Sequence, residues 1–257
     1  MTDEGSDVSP RCSVRIGCAG WSIPREHAAL FDHTGTHLER YARRFSCVEI
    51  NSSFYKPHQT STYARWQAAV PSDFRFAVKV PREITHHLRL IKAADVLDRF
   101  LSEAAALDRK LGPLVVQLPP SLAFDETTVR GFLDMLRARF AGMVVCEPRH
   151  ASWFRTEADD LLTEFKIARV AADPAVAPGA MCPGGWSGLA YYRLHGSPRV
   201  YYSAYSDEWL QRLEEDLRGI SGSAPAWCIF DNTAAGSATT DALKLAQLTH
   251  PAINGAG

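Results

Sequence analysis

The side chains that could do chemistry stand at the ends of short apolar runs. Glu49 and Asn51 close the run 47–51, Lys79 lies near the end of 74–80, and Gln117 near the end of 114–118. Glu147 ends the run 143–147 with Arg149 just beyond it, and Asp173 follows 167–171. Arg193 and His195 straddle the end of 189–194, and Asp231 and Asn232 follow 227–230. Side chains two apart on a strand share a face, so Glu49 and Asn51 look the same way, as do Glu147 and Arg149, and Arg193 and His195. Carboxylates, an imidazole and an amine on one face suit general acid–base chemistry, with Glu147, His195 and Lys79 as the catalytic residues. A dry site raises a carboxyl pKa toward neutrality, which would let Glu147 act as acid or base. His195 would carry the proton. Lys79, Arg149 and Arg193 would hold an anionic group or stabilise developing negative charge. The expected substrate-binding set is Trp21, Glu49, Asn51, Tyr55, Gln117, Arg149, Trp153, Asp173, Arg193, Asp231 and Asn232. Their aromatic faces and amides suit a small polar or anionic ligand.

Elements must gather these ends in one place. Eight β-rich runs recur, at 14–18, 47–51, 74–80, 114–118, 143–147, 167–171, 189–194 and 227–230. Their spacing leaves room for a crossover and a return, and several are apolar almost throughout, as strands covered on both faces are. Helical periodicity lies between them over 95–111, after Asp125, after Ser206 and up to His250, with weaker stretches at 38–45, 62–70 and 157–165. A sixth crossover helix is missing: residues 173–188 hold three Pro and four Gly, which predicts a loop, mobile and overhanging the strand ends. Eight strands alternating with helices predict a (β/α)8 TIM barrel, in which all strand ends meet at one mouth. An open doubly wound sheet would carry a complete G-x-G-x-x-G after its first strand, and Gly17-Cys18-Ala19-Gly20-Trp21 lacks the third Gly. The expected layout is a disordered tail at 1–12, one barrel domain at 13–250 and a short tail at 251–257.

Composition narrows the function. Hydrophobic residues make up 46% of the 257, enough for one sizeable core. No stretch approaches the roughly 18 apolar residues of a membrane span, and the acidic first ten residues are unlike a secretory signal. A net charge of −1 disfavours nucleic acid as partner, because phosphate binders show a basic excess. Six cysteines without a C-x-x-C pair fit buried thiols in a reducing cytoplasm, with no disulfide. Glu49, Glu147, Asp173, His195 and Asp231 could form an oxygen-rich site for a divalent metal. The bases at the same mouth already neutralise those acids, so no cofactor is expected.

Seven motifs in order resemble one family. They are 16–21, 48–55, 74–79 with 84–86, 117–120, 147–150 with 152–154, 192–196 and 230–233. Together they are similar to domain-of-unknown-function family 72, the YecE-like proteins, over about residues 14 to 248. The resemblance implies a TIM barrel with its site at the motif-bearing mouth, and it implies no particular reaction. Asp231 and Asp241 stand where many members carry Asn, and Pro148 where an aromatic is frequent. Two functions are compatible with these residues. One is an acid–base enzyme of hydrolase or lyase type on a small polar or anionic substrate. The other is a non-catalytic protein that binds a metabolite or single-stranded nucleic acid. A third possibility is an ion network that satisfies itself and closes the barrel end, since an unpaired buried ion costs several kcal/mol.

Overall fold

The computed structural model describes residues 14–220 and 223–249. The expected tails at 1–12 and 251–257, and Cys12, lie outside the described residues. The apolar runs form the strands β1 (Val14–Cys18), β2 (Cys47–Ile50), β3 (Arg75–Lys79), β4 (Leu111–Gln117) and β5 (Val144–Glu147). The run 167–171 becomes two strands, β6 (Ala168–Arg169) and β7 (Ala171–Asp173), on either side of Val170. After the short β8 (Gly184–Gly185) come β9 (Ala190–Leu194) and β10 (Ala226–Phe230).

With one exception, helices fall where the period places them: α1 (His37–Ala42), α2 (Thr60–Ala68), α3 (Ala94–Ala104), α4 (Glu126–Arg137), α5 (Thr156–Glu164), α6 (Asp207–Ile220) and α7 (Ser237–Thr249). The stretch 95–111 is α-helical only to Ala104 and continues as a 3-10 helix over Ala105–Lys110, broken at Asp108. Asp125 caps α4 by accepting the Thr128 amide at 2.9 Å. Thr36 and Glu39 close a reciprocal capping box on α1. Leu97, Phe100 and Ala104 are buried on α3, and Leu210, Leu213 and Leu217 on α6, which turns one stripe of each helix toward the sheets.

The strands pair in two sheets, β1-β10-β9-β7 and β2-β3-β4-β5-β6-β8, and only the β6–β8 ladder is antiparallel. These ladders of four and six strands correct the expectation of one closed eight-stranded sheet. At one seam, β1 and β2 share a single bridge, Ala19 to Glu49. A Cβ on Gly17 would stand 2.2 Å from the Cys47 carbonyl oxygen, so only glycine allows this approach. At the other seam the chain passes from one sheet to the other at Val170. Side chains alternate between two cores. Ile16, Val48, Phe76, Val116, Cys146 and Phe230 face the helices. Cys47, Ala77, Val115, Val145, Tyr191, Trp227 and Ile229, drawn from both sheets, share one inner cluster.

Residues 174–183 contain no helix, as their Pro and Gly predict. The expectation of an undocked loop is corrected by its backbone bonds. Ala172 N–H donates to the Ala180 carbonyl at 2.8 Å, Trp186 N–H to the Ile167 carbonyl at 3.0 Å, and Ala180 is fully buried. Main-chain pairing, which has no apolar periodicity, holds this loop. The five described cysteines are free, with Cys18, Cys47, Cys146 and Cys228 buried and Cys182 exposed. Among the described residues no helix is long and apolar enough to cross a membrane.

Candidate active site

Arg193 organises the inner face at the strand ends. From β9 its guanidinium reaches Glu49 of β2 twice, through Nε to Oε2 at 3.0 Å and Nη2 to Oε1 at 2.7 Å. Nη1 donates to Glu147 of β5, and Nη2 also donates to Asp231 at 3.0 Å. All four residues are at most 5% exposed. A planar fork with five N–H donors is the side chain that can serve three carboxylates at once. Tyr191, two residues back on the same face, donates its hydroxyl to Glu49 Oε2 at 3.0 Å.

His195 joins the same cluster. Its Nδ1 lies 3.0 Å from Asp231 Oδ2 and its Nε2 lies 2.9 Å from Glu147 Oε1. Arg149 Nη2 stands 2.7 Å from that Nε2 and also pairs with Glu147 Oε1. Each of two arrangements satisfies part of these contacts, because Nε2 can serve either Glu147 or Arg149 but not both. A neutral ring donates Nδ1–H to Asp231 and accepts from Arg149 at Nε2; a protonated ring donates to both carboxylates. Arg149 Nε is buried with no hydrogen-bond partner among the described residues.

The expected rise in the Glu147 pKa is reversed. Burial pushes the carboxyl up, but Arg193, Arg149 and His195 outweigh burial and hold it well below the usual carboxylate range. Burial likewise raises Asp231, while Arg193, His195 and Lys79 bring it below its ordinary value. Lys79 moves toward neutrality instead. Burial first and Arg193 second lower its pKa to about 8 against the pull of Glu49, Glu147 and Asp231. Its Nζ lies 4.1 Å from the centroid of the Phe54 ring.

Other expected residues are placed elsewhere. Asp173 and Asn232 face the helices, because Ala172 and Asp231 take the inward positions beside them. Asp173 Oδ2 accepts the Tyr205 hydroxyl at 2.7 Å, which corrects the expectation that it faces the mouth. The Tyr205 oxygen accepts the Gly196 amide at 2.8 Å, and the Tyr205 amide donates to Asp241 Oδ2 at 3.2 Å. Asn232 Nδ2 also donates to Asp241 Oδ2, at 2.7 Å. The five-residue metal set is therefore not assembled: Asp173 is turned away, and the Arg193 guanidinium sits among the carboxylates where a cation would. Among the described residues no group of three or more His, Cys, Asp and Glu could hold a metal ion.

Trp153 is 1% exposed and packs in the helix-side core, with its indole N–H on the Leu122 carbonyl at 2.9 Å. That placement corrects its expected role as a ligand face. Trp21 packs edge-on against Trp66 at 5.0 Å, and Tyr55 is exposed beside Phe54. Gln117 is the ladder neighbour of Glu147. Asn51 Oδ1 is buried without a partner among the described residues. Two residues went unread in the sequence. Tyr191 carried a usable signal, since period two places it on the face of Arg193. Tyr201 carried none: it meets the His195 ring edge-on at 5.8 Å from a loop, with φ +70, a conformation L residues seldom adopt. Outside the sheet, a cavity of about 230 Å³ is lined by Asp173, Met181, Tyr192, Trp209, Arg212 and Asp216.

Known proteins are similar to this chain in sequence and in fold. A family model described as "Protein of unknown function DUF72" matches residues 15–256. UPF0759 protein YecE of Escherichia coli (strain K12) is 34% identical over 143 residues, which is 55% of this chain and 50% of that protein. UPF0759 protein YunF of Bacillus subtilis (strain 168) is 25% identical over 152 residues, 55% of this chain and 52% of that protein. The chain spans about half the length of the curated relatives it matches. A DUF72 family protein from Enterococcus faecalis V583 superposes with a TM-score of 0.78 at 22% identity, over 94% of this chain and 97% of that one. A second, from Thermotoga maritima MSB8, gives 0.75 at 24% identity, over 91% and 98%. Those two likenesses show a shared α/β fold. The family model extends from the first described strand past the last described helix, and on that match the chain belongs to the DUF72 family.

Proposed function

We propose that the two sheets are parts of one (β/α)8 barrel domain and that its strand ends hold an acid–base site for a small polar or anionic substrate. His195 carries this reading, because both ring nitrogens lie on carboxylates while the Arg149 guanidinium competes for one of them. Asp231 fixes the ring by taking Nδ1–H, as a carboxylate does behind a catalytic imidazole. Glu147 is a positioning residue rather than the acid. Held ionised mainly by Arg193 and Arg149, it accepts a hydrogen bond from the Nε2–H that the ring gains when it takes the substrate proton. Arg149 is the partly exposed member, at 14% of its side chain. An anionic group on the substrate draws Arg149 to itself, which frees Nε2 to accept a proton. Arg193 is saturated by three acids and stays structural.

Turnover across phosphorylated sugars, keto acids, glycosides and amides tests this reading, with His195→Gln beside the wild type. A substrate whose kcat falls by about 10²-fold or more in the variant, at unchanged folding, is the expected result. Equal rates in both proteins would sink it. Saturable binding without turnover in any class would favour a metabolite-binding protein instead.

A further inference from the structure

Lys79 is the buried cation that no carboxylate claims. Arg193 and Arg149 each pair with acids of the inner cluster, and among the described residues Lys79 makes no ion pair. It shares the inner face with Ala77 on β3 and is 4% exposed. Its Nζ faces the Phe54 ring at 4.1 Å, and His86 packs edge-on against that ring at 5.0 Å. The reason for the isolation is visible on the neighbouring strands. Glu49, Glu147 and Asp231 each turn at least one oxygen to Arg193, which can serve three acceptors where an ammonium could not match the geometry.

An ammonium has three N–H donors to satisfy, and an aromatic face offers it attraction but no acceptor. The neutral amine suits this place better, and so does a protonated imine, which keeps the positive charge over the ring with a single N–H. We propose that Lys79 is an imine-forming lysine, whose ε-amine adds to the carbonyl carbon of an aldehyde or ketone substrate. This inference rests on reading the cluster as an enzyme site. In the addition, the N–C bond forms as the carbonyl π pair moves to oxygen, which takes a proton to give a carbinolamine. The nitrogen lone pair then expels that hydroxyl, which leaves as water with one further proton, and the C=N bond forms. The amine proton released in the addition returns to solvent or to His195, so one proton is consumed overall. The groups that face Lys79 are Arg193, Glu49, Glu147 and Asp231, with His86 behind Phe54. Burial and then Arg193 outweigh the three carboxylates and leave the amine with a pKa of about 8.

Reductive trapping tests the proposal without requiring turnover. The full chain is incubated with cyanoborohydride and formaldehyde, glycolaldehyde or pyruvate, and the adducts are mapped by peptide mass. At pH 7 an amine of pKa about 8 has on the order of 100-fold more free base than an ordinary lysine. The expected result is labelling of Lys79 at least about tenfold faster than exposed Lys56, Lys92 and Lys166. Lys79→Met should remove that adduct and leave the others. Labelling of the exposed lysines at an equal or higher rate than Lys79, with formaldehyde as with the larger probes, overturns the proposal. Substrate turnover that depends on His195 but is undiminished in Lys79→Met would also overturn it, while the acid–base reading stands. Trapping on Lys79 with no substrate turned over would leave the imine lysine and remove the enzyme.

Discussion

Two buried polar clusters grow from the same strand ends, and they are built differently. The inner one joins Glu49, Glu147, Arg193, His195 and Asp231 through ionic contacts. The outer one joins Asp173, Tyr205, Asn232 and Asp241 through phenol, amide and main-chain donors, with no cation among them. Neighbours in sequence are divided between the two: Asp231 goes inward and Asn232 outward. The inner carboxylates Glu147 and Asp231 are held low by guanidinium charge. Asp241 is raised, because burial outweighs the bonds from Asn232 and the Tyr205 amide. Charge is therefore integral to the inner cluster and a burden on the outer one.

Arg193→Met should break the inner cluster most severely. Three carboxylates would be left buried without their shared cation, at a cost of about 5 kcal/mol or more. Thermal melting should fall by about 10–20 °C, or the protein should fail to fold. A drop of under about 4 °C would show that solvent already compensates those acids.

Glu147→Gln should cost about 3–5 kcal/mol at pH 7, since it leaves Arg193 and Arg149 short of a counter-ion. Treating Glu147 as sharing its place with solvent would set the loss at about 1–2 kcal/mol. Its two guanidinium partners and complete burial favour the larger value. The pH dependence gives a second check. A folded pKa below the ordinary value of 4.5 contributes stability that is present above that value. The gap in melting temperature between wild type and Glu147→Gln should therefore persist at neutral pH and close as pH falls through the folded pKa. A gap that widens in acid would contradict the assignment.

Tyr205→Phe probes the outer cluster. It removes the hydroxyl that donates to Asp173 and accepts from the Gly196 amide, so denaturant melts should show a loss of about 1–2 kcal/mol. A loss equal to that of Glu147→Gln would erase the contrast between the clusters. Asp241→Asn should have the smallest effect, and of opposite sign. Its raised carboxyl pKa means that ionisation costs stability as pH rises above the ordinary value of 3.8. The amide keeps an acceptor and supplies a donor for Asn232 Oδ1, which is buried without a partner among the described residues. A gain of up to about 1 kcal/mol at pH 7 is expected in the same melts, and a clear loss would show that the outer cluster needs its charge.

Much of this was readable from short-range pattern. Strands, helices and the Asp125 cap follow from periods of two and 3.6 and from one side-chain acceptor, all set within a few residues. The same period assigns Glu49, Glu147, Arg149, Arg193 and His195 to one face, and it could have separated Asn232 from Asp231. It runs unbroken through the sixth run as well, with Ala168, Val170 and Ala172 inward, so it could also have placed Asp173 outward. Only the tertiary structure decided the rest. Separations of 46 positions from Glu147 to Arg193, and of 144 from Glu49 to Arg193, hid which acid met which base. A pKa in a low-dielectric interior depends on charges a few ångströms away, whatever their distance along the chain, so the fall at Glu147 and the isolation of Lys79 arise only once the strands are side by side.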